Sequence, residues 1–449
     1  MMNKLLFKHI DNSALIVFRI LFGALIFLES IGAIFTGWIR RTLVEPEFTF
    51  NFIGFDFLQT IQGEWMYVHF IIMGICGLFV MVGYKYRISM LTFTLFWATT
   101  YFMQKSSYNN HYYFLMILSA IMVFLPANTY ASIDVKQNPS IKSISMPNWC
   151  RLVFILQLFI LYSYASIAKM YPDWLDLTVP ELLMRSKKHY VLVGNVLQQK
   201  FMHYLIAYGG ILFDGLIIPL LLWKRTRKVA FFASIFFHLF NSFIFQVGIF
   251  PYLSLAFAVF FFEPKVIQKL FLKRKPLFSD TSTTLSSTKK IEIPSYATAF
   301  KTVFILYFII QIALPLRQHF IQDNVLWTEE GHRLSWRMML RSKSGSTSFS
   351  VVDKASQVKT QVKLEDYLTK KQIRTVSTKP DVMWQFAQRL KSVYAEKGMD
   401  VEVYVNAYVS VNGRRSKQLI DPKVDLANEK WNPFKHHDWI LPSNLDENN

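Results

Sequence analysis

The chain contains a series of apolar runs about 20 residues long, which is the length of helix that crosses the hydrocarbon core of a bilayer. We predict spans near residues 13–36, 65–84, 88–104, 111–126, 150–170, 203–223, 229–247 and 299–316, with a shorter one near 250–262. Only 18% of the 449 residues are charged, against about 25% in a typical soluble protein. The pattern therefore predicts a polytopic α-helical membrane domain of about eight or nine spans.

The basic residues indicate how the chain lies in the membrane. The net charge is +19, but the lysines and arginines form short clusters between the apolar runs rather than one continuous surface, so nucleic-acid binding is not expected. With the amino terminus inside, the inner connections hold more of these clusters than the outer ones, which is typical of cytoplasmic loops. We predict an integral, multi-pass membrane protein with a cytoplasmic amino terminus and a carboxyl-terminal domain on the outer side.

Changes of composition divide the chain into four parts. The predicted parts are a transmembrane helical domain at 1–275, a Ser/Thr-rich flexible inner linker at 276–298, a last transmembrane helix at 299–316 and an extramembrane domain at 317–449. In the last part, apolar residues alternate with polar ones from Val401 to Val411, which predicts a half-buried strand that ends in a tight turn at Asn412-Gly413. A helix is predicted to begin at Pro380 and to end before Gly398. This domain is therefore expected to be α+β and strand-rich.

Polar residues inside the apolar runs are candidates for function, because each costs free energy unless it is paired or faces a cavity. Lys169 follows an apolar helical run and precedes Pro172. One interpretation is a lysine that extends to the membrane interface, with Asp173 as its salt-bridge partner. The other is a desolvated, neutral amine that acts as a general base. The residue pattern alone leaves both interpretations open.

Two further polar groups lie in or beside predicted spans. His111 follows Asn109 and Asn110 at the start of the fourth span, which indicates either a capped helix with an interfacial histidine or a group that orients a lysine or a substrate. His238 and Asn241 share one helix face, as a buried polar pair or as part of a cavity.

A metal site is not expected in this chain. His111 and His238 have no third ligand placed by spacing. The two cysteines, Cys76 and Cys150, form no CxxC pattern, and P-loop, GxGxxG, HExxH and GxSxG motifs are absent from the sequence.

Residues 331–345 place several cations beside Trp336. Arg333, Arg337, Arg341 and Lys343 suit an anionic substrate such as a carboxylate-bearing peptide. The alternative is a surface strand with a solvated charged face.

Several stretches, in order along the chain, resemble the vitamin K-dependent γ-glutamyl carboxylase family. They are LIVFRILFGALIFLE (15–29), SSYNNHYYF (106–114), FLPANTYASID (124–134), IAKMYPDW (167–174), YGGILFDG (208–215), FFHLFNSFIFQVGIFPYLSLA (236–256), SWRMML (335–340) and DPKVDLANEKWNPF (421–434). The resemblance covers about residues 10–442, and several collinear stretches are more specific than any single motif.

The resemblance implies a carbon–carbon lyase with coupled vitamin K epoxidase activity. Reduced vitamin K, menaquinol or a similar naphthoquinol drawn from the membrane quinone pool, would be oxidised by O2 to its epoxide. This oxidation would drive removal of a γ-proton from a peptide glutamate, to which CO2 then adds. A glutamate-containing peptide or protein and the membrane lipid are the implied partners, and no metal cofactor is implied.

The same resemblance implies roles for individual residues. Lys169 would be the base that deprotonates the quinol, with His111 and Asn110 positioning the quinone and the lysine. The residues near the glutamate would be Ser335, Trp336, Arg341, Lys343, Met338 and Met339. The quinone cavity would be lined by Tyr108, His238, Asn241 and Phe250.

The chain departs from animal members of the family in ways that indicate a short, bacterial-type homologue with a horizontally transferred transmembrane domain. Ala168 stands where those members carry a second lysine, and Arg341 stands where they carry a histidine. The two cysteines lie in or beside spans and are not expected to form the family's disulfide. The sequence ends soon after 439–442, so we expect the longer carboxyl-terminal region to be missing.

Two other functions fit the same residues. One is a quinol epoxidase or oxidoreductase that retains Lys169 and His111 but does not carboxylate protein. The other is a non-enzymatic membrane protein, a transporter or assembly factor, in which Lys169 extends to the interface.

Overall fold

A computed structural model of the protein describes residues 2–278, 293–443 and 445. Most of the predicted linker at 276–298 lies outside the described residues. The helices of the amino-terminal part are α1 (Met2–Phe7), α2 (Ser13–Phe35), α3 (Trp65–Val82), α4 (Tyr86–Met103), α5 (Asn110–Phe124), α6 (Ile133–Gln137), α7 (Trp149–Ile167), α8 (Pro172–Leu175), α9 (Thr178–Arg185), α10 (Gly194–Leu197), α11 (Lys200–Leu222), α12 (Arg227–Phe240), α13 (Phe250–Ala256) and α14 (Pro264–Phe271). Two short strands, β1 (His9–Asp11) and β2 (Ser145–Pro147), pair antiparallel.

Six helices of the described ranges are long and apolar enough to cross a membrane. They are Ser13–Phe35, Trp65–Val82, Trp149–Ile167, Lys200–Leu222, Arg227–Phe245 and Ala297–Phe320. Phe250–Phe260 and Pro264–Phe271 meet at 120° and make a seventh if they count as one broken span. The predicted eight or nine spans also included α4, whose hydropathy is reduced by an arginine and four threonines, and α5, which has only 15 residues. Both helices nevertheless pack within the same bundle.

Close packing of α2 against α3 forms one side of the bundle. Gly77 of α3 lies against α2 so tightly that a Cβ at this position would be 2.7 Å from the backbone nitrogen of Phe27. Small residues at such crossings let helix backbones approach within van der Waals contact, which stabilises helix pairs in lipid. On the other side of the bundle, α7 packs along α11, and α11 packs on α12.

The carboxyl-terminal part begins with α15 (Ala297–Leu316) and continues as an α+β domain, which confirms the predicted fold class. Its elements are α16 (Val325–Thr328), β3 (Lys343–Asp353), β4 (Lys359–Val362), α17 (Lys370–Val376), α18 (Pro380–Glu396), β5 (Val401–Val411) and β6 (Lys417–Gln418). The four strands form an antiparallel sheet in the order β4-β3-β5-β6. Every second residue of β5 is buried, and the strand ends at Asn412 and Gly413, both with positive φ, as its sequence pattern predicts.

Asp173, four residues after Lys169, joins this sheet to the membrane part. Its carboxylate accepts hydrogen bonds from both terminal nitrogens of Arg414, at 2.5 and 2.6 Å, and from Asn412 Nδ2 at 2.7 Å. Nearby, the Tyr171 hydroxyl donates to the Leu340 carbonyl. The turn after β5 is therefore held directly against the loop that carries Lys169.

We expect Asp173→Asn to destabilise the protein by about 1–3 kcal/mol, because it removes the charge of a buried carboxylate that accepts hydrogen bonds from Arg414 and Asn412. Thermal unfolding of the protein in detergent would measure this. Glu181→Gln is the matched control, since Glu181 and its partner Arg185 are both exposed and such surface changes stay within about 0.5 kcal/mol. Equal unfolding temperatures for the two variants would contradict the role of Asp173.

Candidate active site

A cavity of about 380 Å³ lies between helices α5, α7, α11, α12 and α13, and its walls are mostly aromatic and aliphatic. The predicted residues that line this cavity are Lys169, His111, His238, Asn241, Phe250, Met338 and Met339. These residues come from four separate stretches of the sequence. The structure therefore brings most of the predicted quinone-binding residues and the predicted base to one place.

Lys169 projects its amine into this cavity just beyond the end of α7. Its Nζ lies 2.6 Å from Asp214 Oδ2 and donates to the Ala165 carbonyl at 3.0 Å. The ring of Trp174 lies 5.8 Å away. The interpretation in which Asp173 pairs with Lys169 is wrong, because Asp173 pairs with Arg414.

Asp214 was not singled out from the sequence, although a signal was present. It is an acidic residue in the middle of the apolar run of α11, and ionisable groups in such runs are rare unless they are paired or face a cavity. What the pattern could not provide was its partner, which is 45 residues away.

The two histidines of the cavity are fixed by neighbouring rings. The imidazole of His111 stacks on Phe250 with centroids 4.4 Å apart. His238 is buried, and its Nε2 lies 3.2 Å from the hydroxyl of Tyr162. The predicted helix cap before His111 is present, since Asn109 Oδ1 accepts from the Tyr112 amide at 2.7 Å.

A second cavity of about 230 Å³ adjoins the first on the extramembrane side. The two cavities share His111, Met338 and Met339 as lining residues. Asn110 and Tyr108 line the second cavity rather than the first. The Tyr108 hydroxyl donates to Asn110 Oδ1 at 2.8 Å, and Asn110 Nδ2 donates to the Arg337 carbonyl at 2.7 Å. Asn110 is therefore bonded to the segment that carries Met338 and Met339.

The backbone of this segment, residues 334–340, is strained, which is typical of functional sites. Leu334, Trp336 and Met339 all have φ between 53° and 61°, a left-handed conformation that side chains other than glycine rarely adopt. The Leu334 amide donates to the Tyr108 hydroxyl at 2.7 Å, and this bond helps to hold the conformation.

Three residues predicted near the substrate line neither cavity. Trp336 is fully buried and packs against the ring of Tyr113 at 4.9 Å. The Ser335 hydroxyl donates to the His332 carbonyl. Lys343 donates to the Trp327 carbonyl at 2.5 Å and pairs with Glu329 at 3.4 Å. These three side chains therefore contact the residues around the site and do not line either cavity.

The second cavity is surrounded by more cations than anions. Arg341 pairs with Glu329 at 2.9 and 2.5 Å, and Asp381 pairs with Arg333 and with Lys105 at 2.6 and 2.7 Å. Burial alone would raise the pKa of Glu329, but Arg341 and Lys343 outweigh it and hold that pKa well below its usual range. Burial also raises the pKa of Asp381, but the charges of Arg333 and Lys105 lower that pKa by more. Both carboxylates are therefore charged at neutral pH.

Two cations of the second cavity remain without a carboxylate. In the described part of the chain, neither Arg337 nor Lys379 forms an ion pair, and both line the cavity. Burial lowers the pKa of Lys379 to about 8 and that of Arg337 to about 10. An incoming carboxylate would offset this desolvation. Arg337 belongs to the cation cluster predicted from the sequence, whereas Lys379 lies outside that cluster and was not predicted.

The described ranges contain no group of three or more histidine, cysteine, aspartate or glutamate side chains that could hold a metal ion.

Two family models match the chain. The HTTM domain matches residues 7–265, which is more than half of the sequence. The model described as "Vitamin K-dependent gamma-carboxylase, lumenal domain" matches residues 296–446. No solved structure matches the chain significantly.

We expect thermal stability to depend on two buried lysines above pH 8. Burial lowers the pKa of Lys343 and of Lys379 to about 8, whereas a lysine in the unfolded chain keeps its proton to about 10.4. Between these values the folded state binds fewer protons than the unfolded state, so stability increases as pH rises. Lys379→Met removes one charge that must be buried below pH 8, so the variant should be more stable than the native protein at pH 7.5. This difference in stability should shrink between pH 7.5 and pH 10.

Unfolding temperatures in detergent across this range would test the effect. Lys423→Met is the control, because Lys423 is exposed and its replacement should leave the pH dependence unchanged. If the difference between Lys379→Met and the native protein does not vary with pH, the buried lysine does not contribute as described.

Proposed function

The chain belongs to the vitamin K-dependent γ-carboxylase family, and from this premise we propose that it couples oxygenation of a reduced naphthoquinone to its epoxide with γ-carboxylation of a peptide glutamate by CO2. Membership supports a carboxylase that depends on vitamin K and acts at a membrane. The coupled epoxidation, the lyase chemistry and the residue roles are our proposal.

The observation that carries the proposal is the amine of Lys169 inside a mostly apolar cavity of about 380 Å³. Aromatic walls with a few convergent polar groups suit a planar quinone. Bound reduced vitamin K supplies, on reaction with O2, the base strong enough to remove a glutamate γ-proton. Lys169 Nζ accepts the proton of the quinol hydroxyl, which requires a lone pair on that nitrogen. His111 and His238 border the same space and orient the ring.

The second cavity suits the glutamate side chain. Among the described residues Arg337 and Lys379 have no carboxylate partner, and they would bind the substrate carboxylate by charge-assisted hydrogen bonds. Met338 and Met339 stand between the two cavities, so a side chain held by these cations points its γ-carbon towards the first cavity. The apolar wall excludes water from the carbanion before CO2 adds.

The predicted orientation agrees with this arrangement. The carboxyl-terminal match is to a lumenal domain, and with that domain outside we propose that the amino terminus is cytoplasmic, as the basic clusters indicate. Both cavities then lie near the outer face, where a secreted or membrane-bound peptide has access.

We expect Lys169→Ala to abolish both product channels. Purified protein in detergent would be given reduced vitamin K, O2, labelled bicarbonate and a glutamate-containing peptide, and both epoxide and incorporated label would be measured. Lys188→Ala is the matched control, because Lys188 is an exposed lysine of the same region and should retain both products. Epoxide without label in the native protein would favour a quinol epoxidase that does not carboxylate protein. Absence of both products would contradict the proposal.

We expect Arg337→Gln and Lys379→Gln each to raise the KM for the glutamate peptide at least tenfold. Hydrogen bonds to charged groups contribute about 1.5–3 kcal/mol, and the KM for the quinol should stay unchanged because neither residue lines the first cavity. Arg415→Gln, at an exposed position, serves as the control. If the KM for the quinol rises instead, Arg337 and Lys379 do not bind the carboxylate of the substrate glutamate.

A further inference from the structure

We propose that Asp214 is the proton partner of Lys169, so that the two side chains act as one base. At rest the carboxylate holds the lysine as an ammonium, and when the quinol is bound the proton passes from Lys169 Nζ to Asp214 Oδ2. This role rests on the proposed function for its catalytic meaning, but the ion pair itself can be tested without catalysis.

The geometry supports a shared proton. The 2.6 Å separation between Nζ and Oδ2 is short for a charged hydrogen bond. Both side chains are nearly buried, with 11% and 7% of their surfaces exposed. Lys169 also donates to the Ala165 carbonyl, and these two bonds leave the third hydrogen of the ammonium for another acceptor.

Among the side chains that line the first cavity, Asp214 is the one hydrogen-bonded to Lys169. The titratable side chains that line it are Lys169, Asp214 from α11, Tyr162 from α7, His111 from α5 and His238 from α12. Asp214 is the one carboxylate among these lining residues. His238 is already in contact with Tyr162, and His111 with Phe250.

The transfer balances in atoms and charge. An N–H bond of the ammonium breaks and an O–H bond of the Asp214 carboxyl forms, so an ion pair becomes a neutral amine beside a neutral acid. The lone pair left on Nζ then takes the quinol proton, which breaks the quinol O–H bond and leaves an anionic oxygen opposite a lysine that is again cationic. The pair changes from neutral to a charge of plus one while the quinol becomes minus one, and no net charge enters the apolar cavity.

This arrangement resolves a conflict in the function of Lys169. A free amine is needed to accept the quinol proton, yet a carboxylate 2.6 Å away favours the ammonium. With Asp214 as acceptor, the neutral amine forms only within the pair and only when the quinol is bound. This limits side reactions of a nucleophilic amine in the absence of the quinol.

Competitive labelling with acetic anhydride tests the pair, because the anhydride acylates amines and not ammonium ions. The fraction of Lys169 acetylated would be followed by mass spectrometry of peptides as a function of pH, with Lys188 of the same sample as reference. We expect the labelling midpoint of Lys169 in the native protein to be no lower than that of Lys188. In Asp214→Asn it should move down by at least one pH unit, because an opposite charge at this distance shifts such equilibria by about one to three units. Asp214→Glu, which retains a carboxylate, should restore most of the native midpoint.

An unchanged midpoint in Asp214→Asn overturns the proposal. If that variant does not fold, a native midpoint near or below neutral pH overturns it equally, since the carboxylate would then not hold the proton. The acid limb of epoxide formation should move to lower pH in Asp214→Asn together with the labelling curve, a shift that loss of packing alone would not produce. Absence of epoxide in the native protein would count against the proposed function and leave the labelling result standing.

Discussion

The insertion of Trp336 into the membrane bundle is the contact on which the rest of the structure depends. Its side chain is part of the bundle core with Tyr113 and Phe114, although the residue belongs to the carboxyl-terminal half of the chain. Leu340, four residues later, is buried in the core of the extramembrane domain. One short segment is therefore shared by two hydrophobic cores. It adopts a strained backbone between the two cores, and burial of the tryptophan offsets part of that strain.

From this junction follows the division between an apolar cavity and a charged one. Met338 and Met339 lie on the shared segment and separate the two spaces. On the membrane side a lysine and an aspartate neutralise each other among aromatic rings. On the other side Glu329 and Asp381 hold several cations in place, and the surplus positive charge is left facing the cavity. The proposed chemistry of an apolar ring and the proposed binding of a carboxylate need opposite environments, and the segment separates the two.

Residue patterns identified the members of the site better than their partners. Lys169, His111, His238 and Asn241 were found because polar groups in apolar runs stand out. A cap from Asn109 or Asn110 was predicted because capping is a local interaction, and Asn109 provides it. Arg341 and Lys343 were predicted to bind substrate, but Glu329, twelve residues before Arg341, pairs with both. The pattern could not distinguish a cation that is already paired from one that is free, because pairing depends on the path of the strained segment.

The sequence by itself determined the apolar helices, the division into a membrane part and an α+β domain, and the strand that ends at Asn412-Gly413. These features depend on run length, on alternation and on turn residues, all of which act over a few neighbouring positions. The tertiary structure alone decided that Lys169 pairs with Asp214 rather than with Asp173, and that Arg337 and Lys379 line the second cavity without an ion-pair partner among the described residues. Those choices depend on how α7 packs along α11 and on where a strained loop lies between two cores, because the free energy of a buried charge is set by its neighbours in space and not by its neighbours in sequence.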